Sequence, residues 1–217
     1  GGYAAGLLAR HLPGTAEITL HRPPPLDRPL LVRQAPGGGV ELLDADSRIA
    51  AGRAAELEFA PPPAPPWPLA AASRHAFGLE AAPAAVCFVC GEARAPGDGL
   101  RLLAGPVDAS GRVATTWVPP GEFDDGTGHV RPELVWAVLD CPGGYALVHA
   151  RRRTIVTGRL TVRIEARPRV GEACIVAGWP GPESGRKLVA GTALYRADGE
   201  PLAVGAAIWF DMGAAGA

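Results

Sequence analysis

Lysine is almost missing from this chain: Lys187 stands alone among 21 basic residues, and the rest are arginine. With the heavy glycine and alanine content, that skew points to a GC-rich coding sequence rather than to a function. Charge of one sign is missing too. The 21 basic and 22 acidic residues leave a net charge of −1, whereas a general nucleic-acid binder carries a basic excess. No apolar run approaches the roughly 20 residues needed to cross a bilayer, and no signal-peptide pattern is present. Partners on a membrane or on nucleic acid are therefore not expected. The four cysteines, Cys87, Cys90, Cys141 and Cys174, are too few for a secreted disulfide framework at this length, so a reducing cytoplasm is expected. Methionine occurs once, as Met212, and the first residue is glycine, so an N-terminal piece of the native chain is expected to be missing.

What is present is glycine (29) and proline (23) in a chain of 217 residues that is 47% hydrophobic. That composition suits many short strands joined by turns. The length allows one large domain or two small ones. Gly1 to Leu12 reads as a helix with Tyr3, Leu7, Leu8 and Leu12 on its apolar stripe, stopped by Pro13-Gly14. Strands are expected at Glu17–His21, Leu30–Gln34, Val40–Leu43 and Ile49–Phe59. Ala60 to Pro68, APPPAPPWP, reads as a stiff extended connector and the natural boundary. Beyond it, strands are expected at Leu100–Leu103, Val113–Val118, Thr154–Ala166, Ala173–Trp179, Leu188–Arg196 and Leu202–Phe210. Between them Pro132 opens a helix that runs from Glu133 to Asp140 and is kinked or broken by Pro142. Trp117, Trp136, Trp179 and Trp209 are expected to fill cores.

The two halves resemble one another. At a shift of 142, Gly1-Gly2-Tyr3 matches Gly143-Gly144-Tyr145, and Thr19-Leu20-His21 matches Thr161-Val162-Arg163 without a gap. Later matches, Asp46 with Asp198 and Gly52 with Gly205, need shifts of 152 to 153, which places an insertion in the loop Pro180 to Arg186. Each half reads helix, long strand, strand, hairpin, strand, which points to an α+β architecture of one sheet wrapped over one helix, twice.

The motifs GGYAAGLLA in the first half, and CFVCG, GLRL and LVWAVLDCPGGYA in the second, resemble the double-hotdog branch of acyl-CoA thioesterase-like proteins. The resemblance implies two hotdog units fused as a pseudo-dimer: residues 1–59, lacking their first strand, and residues 87–217, with 60–86 as connector. It also implies acyl-CoA thioesters bound between the units, backbone amides at a helix start polarising the carbonyl, and a carboxylate on the central helix acting as nucleophile or base. No metal or redox cofactor is implied. Relatives with this fold include dehydratases of 3-hydroxyacyl thioesters and binders that turn nothing over. Edge strands would favour a homodimer of the double unit.

The resemblance carries the carboxylate role to Asp140, eleven residues after His129. Asp140 ends an otherwise apolar stretch, where a carboxylate is costly unless a pocket or a partner serves it. The alternative is a cap for the amides around Pro142 and Gly143. His129 would orient water or substrate in the second reading of its loop; in the first, that loop and the acids Asp124, Asp125 and Glu133 are simply solvated. A His129 approaching Asp140 would favour a dehydratase. Gly1, Gly2 and Tyr3 would either admit a thioester to the backbone or serve tight packing. Arg151, Arg152 and Arg153 would bind coenzyme A phosphates or form a solvated turn. Cys87 and Cys90 form a single C-x-x-C with no second pair and no nearby histidine pair, so a metal site is not expected there.

Overall fold

The computed structural model describes residues 1–74, 83–95, 97–148 and 154–213. In chain order the elements are α1 (Gly2–Ala9), β1 (Ala16–Leu20), β2 (Leu31–Ala35), β3 (Gly39–Asp44), β4 (Ser47–Ala54), α2 (Trp67–Ala72), β5 (Gly105–Pro106), β6 (Val113–Trp117), α3 (Pro132–Val138), α4 (Cys141–Val148), β7 (Ile155–Ile164), β8 (Cys174–Ser184), β9 (Lys187–Arg196) and β10 (Pro201–Asp211). All ten strands form one antiparallel sheet in the order β2-β3-β4-β1-β7-β10-β9-β8-β6-β5. The expected α+β architecture is present. Each half contributes a meander, and the two meanders join where β1 pairs β7 with Ile18 opposite Leu160.

The strands follow from alternation. In β7, Leu160 and Val162 point into the core, while Arg159 and Arg163 point outward to the ion pairs with Glu17 and Glu165. The main core lies between the sheet and α1, α3 and α4; Leu8, Leu134, Val138 and Leu139 meet Ile18, Leu160 and Leu194 there. Trp117, Trp136 and Trp209 fill it as expected, whereas Trp179 sits on the opposite face, edge-on to Phe59.

That opposite face corrects the reading of the proline-rich connector as a spacer. Leu57, Phe59, Ala64 and Trp67 pack on Ile175, Ala177, Ala193 and Tyr195 at the back of the second-half sheet. The Tyr195 hydroxyl donates to the Pro62 carbonyl at 2.7 Å, and the Arg163 guanidinium donates to the Leu57 carbonyl. Residues 55–66 lie outside any strand ladder, and these side chains serve two of the carbonyls left without one. The connector also ends in a helix, α2, with Pro68 in its first turn, where proline is tolerated.

Three further expectations change. Ile49–Phe59 is a strand only to Ala54. Leu100–Leu103 is not a strand; the Leu100 and Leu102 amides instead donate to the carbonyls of Phe88 and Val89 at 2.8 Å each. Pro180–Arg186 is not an inserted loop, because β8 and β9 continue through it, with Ser184 facing Lys187. Gly185 there has φ +59°, which suits a tight hairpin turn. No described helix is long and apolar enough to cross a membrane.

Candidate functional site

The helical run expected from Glu133 onward breaks one step earlier than Pro142 alone requires. Helix α3 stops at Val138 and α4 begins at Cys141, leaving Leu139 and Asp140 at the break. Pro142 lacks an amide hydrogen and so sits in the first turn of α4. The break frees the Leu139 carbonyl, and the buried Thr192 hydroxyl donates to it at 2.8 Å. The start of α4 lies hard against β8: a Cβ on Gly178 would stand 2.4 Å from the Pro142 carbonyl oxygen.

Asp140 is 3% exposed, and its side chain does not cap α4. Its Oδ2 accepts the Gly2 amide hydrogen at 2.6 Å, at the start of α1. Its Oδ1 accepts the Thr157 hydroxyl of β7 at 2.8 Å. A carboxylate at a helix N-terminus is favoured by the positive end of the dipole, so the second half supplies the charge and the first half supplies its partner. By helix geometry the Tyr3 and Ala4 amides beside Gly2 have no intrahelical acceptor either, since the first internal bond runs from Ala5 to the Gly1 carbonyl. Thr157 is a polar partner that sequence reasoning missed. It lies 17 residues from Asp140 in another element, and no local spacing announces it.

The glycines of α1 serve close packing. A Cβ on Gly2 would lie 2.7 Å from the Asp140 Cβ, and one on Gly6 2.6 Å from the Glu133 Cα. Tyr3 packs against Phe88, ring centroids 5.5 Å apart.

His129 does not meet Asp140. Its Nδ1 is 3.2 Å from the Thr127 hydroxyl, ahead of α3, whereas Asp140 follows α3. The eight-residue step from Pro132 to Asp140 amounts to about 12 Å of helix rise. Asp125 beside it is held below the usual carboxylate range, first by the Thr127 hydroxyl and then by the Arg167 guanidinium at 2.5 Å. Glu133 is not solvated as its position in the first turn suggested. It is 2% exposed, its Oε1 lies 4.0 Å from Arg10 and 3.9 Å from Arg131, and its Oε2 has no hydrogen-bond partner among the described residues. These groups, with Asp125, Pro132 and Arg167, line a recess of about 560 Å³ at the far end of α3 from Asp140. Arg151, Arg152 and Arg153 lie outside the described residues.

No family model matches the sequence, and no curated protein matches it. Among solved structures, a conserved protein of unknown function with a hot dog fold from Alicyclobacillus acidocaldarius matches 97% of this chain and 86% of its own, at TM-score 0.62 and 15% identity. A tesB protein from Mycobacterium avium subspecies paratuberculosis matches 96% of this chain and 82% of its own, at TM-score 0.58 and 14% identity. A thioesterase superfamily protein matches 51% of this chain at 20% identity and TM-score 0.47; the match spans only 53% of that protein's length. The fold is thus the hotdog fold, in two fused units, as the resemblance in the sequence implied.

Proposed function

We propose that this chain is an acyl-CoA thioesterase-like hydrolase whose reacting carboxylate is Asp140. The observation that carries the reading is the seam itself: a buried carboxylate from the second half, bonded at once to the Gly2 amide of the first half and to Thr157. The thioester carbonyl oxygen would approach the α1 N-terminus, where the Tyr3 and Ala4 amides stabilise the oxyanion while the Gly2 amide stays on Asp140. Asp140 takes a proton from water as the water oxygen attacks the carbonyl carbon, and Thr157 holds the carboxylate in place. Collapse of the adduct breaks the C–S bond, and the thiolate recovers the proton from Asp140. The coenzyme A phosphates would reach the Arg10 and Arg131 recess, one α3 length away, or the run Arg151 to Arg153. Neither a metal nor a redox group is needed for these steps.

The match of Gly1 with Gly143 supports an internal repeat. That shift of 142 makes Ile18 equivalent to Leu160, the two residues that face each other where the halves join. We place the units at 1–59 and 87–217 on this ground. β2 is an open sheet edge, which suits pairing with a second copy. A role without turnover is favoured by one feature, the engagement of both Asp140 oxygens. A cytoplasmic setting fits a substrate made there.

The test is free-thiol release from acyl-CoAs ranging from acetyl to long-chain and aromatic, with Asp140→Asn beside the parent. Release that collapses in the variant supports the reading. Release that the variant leaves unchanged keeps the hydrolase and removes Asp140 from its site. Tight acyl-CoA binding without release from any substrate assigns the binding role.

A further inference from the structure

The C-x-x-C motif gains a third sulfur in the folded chain. Cys87 and Cys90 flank a tight turn, and Cys141 opens α4, 54 positions from Cys87. The three sulfur atoms all lie within 4.8 Å of one another, and Cys87 and Cys141 are 3.8 Å apart. All three thiols are free. A disulfide would bring two sulfurs to about 2.0 Å. A tetrahedral cation with metal–sulfur bonds of about 2.3 Å holds two sulfurs about 3.8 Å apart. The spacing is that of a metal-site edge.

The turn around Cys87 is tightly closed. The Gly91 amide donates to the Cys87 carbonyl at 2.8 Å. A Cβ on Gly91 would stand 2.5 Å from that oxygen and 2.6 Å from the Ala85 carbonyl oxygen, so the turn closes only with glycine. It directs the amides of Val89 and Cys90 at the Cys87 sulfur. A cysteine packed merely as a small apolar side chain has no need of such donors. Cys90 is buried, whereas Cys87 and Cys141 are partly exposed, which leaves a path for an ion and a face for a fourth ligand.

We propose that Cys87, Cys90 and Cys141 bind one thiophilic divalent cation, Zn²⁺ by preference, with its fourth position open to solvent or an added ligand. The ion would pin the Cys87–Gly91 turn to the start of α4, next to Asp140. Through Phe88 on Tyr3 it would tie the same turn to α1. This inference is independent of the hydrolase reading, and its test reads metal rather than activity.

The full chain, produced with zinc in the medium and purified with a phosphine reductant and no chelator, is assayed by inductively coupled plasma mass spectrometry. The expected content is about one zinc per chain, falling to about a tenth or less in Cys87→Ser and in Cys141→Ser. Cys174→Ala, whose sulfur lies in β8 outside the cluster, keeps the full content. Should the serine variants fail to fold, Co²⁺ added to the chelator-stripped parent gives a sulfur-to-cobalt charge-transfer band with tetrahedral d–d bands. A parent that holds under about a tenth of an equivalent and develops no such band overturns the proposal. So does full zinc content in folded Cys141→Ser, or an intact mass two units low, which marks a disulfide instead.

Discussion

The helices at the centre of the two halves occupy comparable places in the fold and carry unlike chemistry. α1 has no acidic residue between Gly2 and Ala9, and its Gly2 and Gly6 press against α3. The second half answers with two segments, α3 and α4, and puts Glu133 at one end and Asp140 at the break between them. One helix offers amides and a smooth face; the other offers carboxylates held in an apolar setting. On the proposed reading, a site at the β1–β7 seam needs only one of the two central helices to carry the charge.

The comparison is broken most sharply by exchanging charge for a neutral isostere. Asp140→Asn is expected to lower kcat for thioester hydrolysis by about 10²–10⁴-fold, the usual span for loss of a positioned base. Leu7→Ala, on the exposed side of α1, is expected to leave kcat within about twofold, since α1 contributes backbone rather than side chains. Loss of activity in both variants alike would erase the distinction between the halves.

Packing gives a smaller contrast. Gly6→Ala forces a methyl against the Glu133 backbone at 2.6 Å, and urea unfolding is expected to show a loss of about 1–3 kcal/mol. Gly143→Ala in α4 meets first the Ala190 and Thr192 methyl groups, each at 3.1 Å, and is expected to cost under about 1 kcal/mol. Equal losses would mean that α1 and α4 meet their neighbours equally closely.

The smallest effect concerns acid. Asp125 is held below the usual carboxylate range in the folded chain by Thr127 and Arg167. Its folded-state pKa lies below its unfolded one, so it stabilises the fold above the unfolded value, near 4. That stability is lost as pH falls below it. Asp125→Asn is expected to flatten the acid limb of thermal stability between about pH 4 and pH 2 by lowering stability at neutral pH and leaving it unchanged in acid, and the loss is small because the pair is exposed. An unchanged acid limb would show that Asp125 is not held in this way.

Much of this was legible in the sequence because it is local. Alternation marks β7, turn glycines bound the hairpins, and Pro142 announces the break that strands Asp140 in an apolar run. What was not legible depends on contacts between distant residues. Thr157 becomes the partner of Asp140 only when β7 crosses the helix break. Cys141 joins Cys87 and Cys90 only because α4 packs beside their turn. Leu100 to Leu103 has the composition of a strand but spends its amides on the Phe88–Val89 turn. The connector has the composition of a spacer, yet its Ala64 and Trp67, with Leu57 and Phe59 just before it, cover the apolar back of the second-half sheet. Glu133 sits where a solvated helix-start acid belongs, and the approach of α1 at Gly6 buries it.

The central claim is that Asp140 and Thr157 act as one unit. Its most direct test is a double-mutant cycle on kcat with Asp140→Asn, Thr157→Val and the pair together. Thr157→Val alone is expected to cost about tenfold, and the double variant to be no slower than Asp140→Asn alone, because a hydroxyl that works through the carboxylate has nothing left to hold. Losses that simply multiply would contradict the account, placing Thr157 and Asp140 in separate roles.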